Sequence, residues 1–104
     1  MNISAAEFSS RNKESNSLII IDVRENLEFN TFNVGGTNIP LGKLIRDIEE
    51  LEYRKNEEIV VICQHGLRSE TARRVLTQQG YQNVRNLTGG LVGIQKLKSQ
   101  TSTR

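Results

Sequence analysis

Two short apolar runs constrain this chain more than anything else in it. They are Leu18-Ile19-Ile20-Ile21-Asp22-Val23 and Ile59-Val60-Val61-Ile62. Runs of this length, mostly β-branched and without polar alternation, read as strands buried on both faces, as in a parallel sheet covered by helices. The segments around them agree. Leu41 to Leu51 carries apolar residues at 41, 44, 45, 48 and 51, a helical stripe. Ser69 to Gln79 reads as a helix with Ala72, Val75 and Leu76 inward and Gly80 at its stop. Asn83 to Leu87 is a further strand, and Gly89-Gly90 opens a last helix carrying Leu91, Ile94 and Leu97. Thr37-Asn38-Ile39 is extended, because a residue before proline avoids the helical region. Ser4 and Glu7 have capping-box spacing, so a short helix starts there and fades in the polar stretch 11–17. Glu25 to Phe32 reads as a short helix or an irregular turn, and the polar tail from Ser99 is expected to fray. Strands alternating with helices make this an α/β fold.

Composition bounds the function. With 104 residues the expectation is one domain over 1–104, large enough to bury roughly two-thirds of its unfolded surface without disulfides. Apolar residues at 36% and charged residues at 25% argue against disorder, and a net charge of +2 is too balanced for a dedicated nucleic-acid binder. One cysteine excludes an intrachain disulfide and a Cys-rich zinc site, and it suits a reducing compartment. The N-terminal stretch has no apolar signal core, and no run reaches membrane-span length. The expectation is a cytoplasmic protein with no membrane or nucleic-acid partner, no metal and no cofactor.

Chemistry concentrates at Ile59 to Ser69, I-V-V-I-C-Q-H-G-L-R-S, a strand, a tight loop and a helix start. In parallel α/β sheets the ligand crevice lies beyond the carboxyl ends of the strands, and Cys63 falls there. The loop must curl back into the helix, so successive backbone N–H groups, those of Gln64, Gly66, Leu67 and Ser69, can converge on one point, with Gly66 permitting the turn. The helix N-terminus and the Arg68 cation add positive potential, which favours a nucleophilic thiolate at Cys63. The same cradle suits a persulfide, whose outer sulfur is anionic. Ser69 reads equally as part of the cradle or as a helix N-cap. His65 reads equally as a weak donor near substrate or as a solvated loop residue. Arg68 reads as an anion-holding cation or an exposed helix-start arginine.

These motifs resemble the rhodanese-homology domain over nearly the whole chain. The matching segments are I-I-I-D-V-R-E at 19–25, G-G-T-N-I-P at 35–40, C-Q-H-G-L-R-S-E at 63–70 and N-L-T-G-G at 86–90. The resemblance implies a three-layer α/β fold, with a five-stranded, mainly parallel sheet in the order 3-2-4-5-1 and helices on both faces. It implies a thiosulfate sulfurtransferase that works through a Cys63 persulfide. Gln64, His65, Gly66, Leu67, Arg68 and Ser69 would surround the substrate, and Asp22 and Arg24 would form a structural ion pair. The partners implied are a small-molecule sulfur donor, a thiol or cyanide acceptor, and thioredoxin or another sulfur-relay protein. The family often has histidine where Asn33 stands and tryptophan where Ile94 stands, and both are expected to be packing positions. Gln64 and His65 after the cysteine leave the donor open.

Two other functions compete. One is a non-enzymatic persulfide carrier or regulatory module. The other is a cysteine-dependent phosphatase or arsenate reductase, whose cradle has one residue more between cysteine and arginine than the four separating Cys63 from Arg68. A phosphate needs the wider loop to meet its oxygens, whereas one sulfur atom fits the smaller.

Overall fold

The computed structural model of the protein describes residues 1–14 and 18–102. In chain order the elements are β1 (Asn2–Ile3), α1 (Ala5–Glu14), β2 (Ile19–Asp22), α2 (Asn26–Thr31), β3 (Thr37–Asn38), α3 (Leu41–Arg46), a 3-10 turn (Ile48–Glu50), β4 (Glu58–Ile62), α4 (Leu67–Gln78), β5 (Asn83–Leu87) and α5 (Gly90–Ser102). The strands form one sheet in the order β3-β2-β4-β5-β1, and all four pairings are parallel.

The two apolar runs become neighbouring central strands, with Ile19 opposite Ile59 and Asp22 opposite Ile62. Side chains on a strand alternate faces, and here each face meets its own helical layer. Ile59, Val61 and Cys63 join Ile21, Leu44, Ala72 and Leu76 on the α3–α4 side. Val60 and Ile62 join Ile3, Phe8, Leu91 and Ile94 on the α1–α5 side. That double covering is why β2 and β4 show no polar alternation.

Several elements differ from the sequence reading. The stripe at 41–51 is interrupted at Asp47, whose carboxylate takes hydrogen bonds from Lys43 and Arg46. Ile48 and Leu51 still pack on the same core, because periodicity reports a buried face and not helix continuity. α4 begins at Leu67, two residues earlier than expected, and its N-cap is Gly66. The 25–32 segment is helical over Asn26–Thr31. α1 persists to Glu14, and the rest of the expected fade lies outside the described residues. α5 continues to Ser102, so the tail is helical past Ser99, while residues 103–104 lie outside the described residues. Ile94 is a packing position, 2% exposed. Asn33 is not: it is exposed, donates to the Phe29 carbonyl and accepts the Gly35 N–H, pinning a turn. No helix among the described residues is long and apolar enough to cross a membrane.

Candidate active site

Cys63 follows the last residue of β4 on the face that carries Ile59 and Val61, where the loop brings α4 back over it. Gly66 makes that return possible with φ +96°, a left-handed conformation that side chains strain to adopt. Gly90 holds the other side of the loop. A Cβ there would lie 2.5 Å from the Gln64 carbonyl oxygen and 2.6 Å from that of Cys63. The space left lets Leu91 and Val92 donate their N–H groups to those carbonyls at 3.0 and 3.1 Å. The Gly-Gly motif thus fixes the cysteine loop and starts α5 in one stroke.

Three groups converge on the Cys63 sulfur. The Gly66 N–H donates at 3.1 Å, the Ser69 N–H at 3.3 Å, and the Ser69 hydroxyl lies 3.3 Å away. Burial pushes the thiol pKa up, but the Ser69 hydroxyl and the Ser69, Gly66 and His65 backbone N–H groups pull it down. The net position is below the ordinary thiol value. Ser69 is therefore a cradle residue and not the helix N-cap: it is fully buried, and its hydroxyl also meets Asn86 Oδ1 at 2.5 Å.

That contact sets the direction of the hydrogen bonds. Asn86 Nδ2 donates to the Gly66 carbonyl at 3.2 Å, which leaves Oδ1, a pure acceptor, facing Ser69. The Ser69 hydroxyl therefore donates to Asn86, and a neutral Cys63 thiol donates to Ser69. When the thiol ionises, its sulfur and Asn86 compete for the single Ser69 proton.

Arg68 differs from its sequence reading as an available cation. Its guanidinium is gripped by both oxygens of Glu28 on α2, at 2.7 and 3.0 Å. The pair holds the Glu28 carboxyl at about 2, chiefly through the Arg68 hydrogen bond. Arg68 still senses the Cys63 thiolate, but more weakly than it senses Glu28. Asp22 and Arg24 form a buried ion pair at 2.9 Å. Arg24 also donates to the carbonyls of Phe32 and Glu28 and to the Gln64 side chain at 3.5 Å. Gln64 is thus a link between the β2 end and the loop.

His65 and Leu67 are exposed, and Leu67 is 79% accessible. They line a cleft of about 360 Å³ with Gly66, Glu70, Asn86 and Thr88. Glu28 and Asn86 are site residues that the sequence reading missed. Glu28 had a faint signal, sitting three residues after Glu25 at capping-box spacing. Asn86 lay within a matched motif, but nothing in the sequence pointed it at Ser69. No cluster of potential metal ligands occurs among the described residues.

A protein-family model described as a rhodanese-like domain matches residues 4–97. The chain belongs to this family. Among its relatives is a Bacillus subtilis protein, YrkF, named as a sulfur carrier, 38% identical over 90 residues. The match covers 86% of this chain and 48% of YrkF, so the chain spans about half of that relative's length. The thiosulfate sulfurtransferase GlpE of Shewanella oneidensis is 32% identical over 78 residues, covering 74% of this chain and 75% of GlpE. The crystal structure of a rhodanese-like domain protein from Staphylococcus aureus superposes with a TM-score of 0.78 at 25% identity, covering 90% of this chain and 91% of that one. These rhodanese-like relatives support sulfur transfer in general as the chemistry of this chain.

Proposed function

We propose that the chain is a thiosulfate sulfurtransferase acting through a persulfide on Cys63. The observation that carries this reading is the cradle itself: two backbone N–H groups and a hydroxyl within 3.3 Å of one sulfur at the carboxyl edge of a parallel sheet. The Cys63 thiolate attacks the sulfane sulfur of thiosulfate, the S–S bond breaks, and its electron pair leaves on sulfite. The persulfide formed carries its negative charge on the outer sulfur, where N–H groups of the first turn of α4 have no partner within the helix and can receive it. A thiolate or cyanide then attacks the outer sulfur, takes it as persulfide or thiocyanate, and returns Cys63 as thiolate. Protons and electrons balance without a cofactor or metal.

The Cys63–Arg68 loop is one residue short of a phosphatase cradle, which supports the sulfur reading over phosphoryl transfer. Exposed Leu67 beside the loop suits delivery to a protein thiol, thioredoxin or another sulfur-relay protein, and a thiol chemistry of this kind fits the cytoplasm. After exposure to thiosulfate, mass spectrometry should show a gain of about 32 Da, one sulfur atom. Cyanide should remove it, and Cys63→Ser should never acquire it. Sulfur loading that persists in Cys63→Ser would end the mechanism.

A further inference from the structure

Glu28 is held from two sides. Its Oε1 accepts the Glu25 backbone N–H at 3.0 Å, closing the first turn of α2, while both its oxygens grip Arg68. Bidentate geometry of this kind fixes both partners in orientation. Glu25 and the Cys63 thiolate also act on the same guanidinium, more weakly than Glu28 does. Arg68 is the loop's one permanently charged cation, and Arg24, whose guanidinium reaches the loop at Gln64, is buried against Asp22. The mouth therefore offers an incoming anion a positive charge that is already matched. With Cys63 ionised, Glu28, Glu25 and the thiolate together outnumber Arg68. A donor with two negative charges is disfavoured more strongly by this field than a donor with one.

Resting on the sulfur-transfer reading above, the geometry points to Glu28 as a specificity-determining residue. By clamping Arg68 it selects sulfur donors of low negative charge, such as thiosulfonates and organic persulfides, over dianionic thiosulfate. Thiosulfate remains a substrate, because a half-exposed ion pair is weak enough to open.

Methanethiosulfonate, a monoanion, and thiosulfate, a dianion, both deliver a sulfane sulfur by the same S–S cleavage, with methanesulfinate or sulfite leaving. Their kcat/KM ratio therefore reads charge selection. In Glu28→Gln, the glutamine oxygen can keep the capping bond while the charge is lost. The ratio of methanethiosulfonate to thiosulfate should fall roughly two- to fivefold, the scale of an exposed ion pair. Glu25→Gln, at an exposed N-cap, should shift it the same way by less. High ionic strength should shrink both differences. A variant that only loosens α2 would slow both donors alike and leave the ratio unmoved, and an unmoved ratio in both variants overturns the proposal. If neither donor loads Cys63 in the wild-type protein, the sulfur-transfer reading itself fails, and this inference falls with it.

Discussion

The carboxyl ends of β2 and β4 lie side by side, with Asp22 opposite Ile62, yet one is closed by a buried ion pair and the other gathers its donors around a thiol. At the end of β2, Asp22 accepts the Arg24 backbone N–H, Nε and Nη2, while Asn38 donates to the Asp22 and Arg24 carbonyls. Remaining Arg24 protons go to the carbonyls of Phe32 and Glu28. Every strong group there has a fixed partner. At the end of β4 the donors surround the Cys63 sulfur and favour its ionised form. The difference teaches that position on the carboxyl edge is not enough. A buried charge must be fully paired to be tolerated, and the resulting lattice holds shape. Reactivity needs donors whose acceptor can change.

The comparison breaks most violently at the β2 end. Arg24→Ala leaves Asp22 buried without its cation, and the expected loss is about 3–5 kcal/mol of folding stability. Denaturant midpoints measure this, and a loss within error of zero would mean the lattice is incidental to the fold. At the β4 end the expected effect is smaller and falls on ionisation. Ser69→Ala should raise the thiol midpoint, because the Ser69 hydroxyl is one of the groups that hold it down, and only in part, since it shares its proton with Asn86.

Alkylation rate against pH reads that shift, and an unchanged midpoint would show that the backbone N–H groups alone set it. The sign for stability follows from the same lowering. Between the folded and unfolded midpoints of Cys63 the unfolded chain binds more protons, so stability rises with pH across that window. The gain is lost as pH falls through the folded midpoint. Ser69→Ala should narrow the window.

The smallest effect belongs to Arg68, which stands between the two regions. Arg68→Ala should raise the thiosulfate KM roughly two- to fivefold and lower turnover less, a loss of ground-state binding through an exposed side chain. An unchanged KM would make the Glu28–Arg68 pair a tether between α2 and α4 and nothing more.

Much of this arrangement is written in local pattern. Burial on both faces leaves its mark on each strand separately, so Ile19–Val23 and Ile59–Ile62 announce two central strands before any partner is known. A strand end, a glycine and a helix start within seven residues likewise place Cys63 in a convergent loop. Gly-Gly at 89–90 is legible as backbone shape, since it sits in no phosphate-binding frame. Register between strands, by contrast, has no local mark. β1 is two residues long and exists only because Asn2 and Ile3 pair with Asn86 and Leu87 at the far end of the chain.

Sequence alone determined the α/β class, the strand-end place of Cys63 and the tight turn after it, because each depends on neighbours within a few residues. Tertiary structure decided what the charged and polar groups do. Arg68 meets Glu28 across 40 residues, and Ser69 meets Asn86 across 17. A hydroxyl or guanidinium carries the same capacity in any fold, and only the packing of α2 and β5 against the loop chooses the acceptor. That choice turned Ser69 from a possible cap into a proton donor for the site, and Arg68 from a free cation into half of an ion pair.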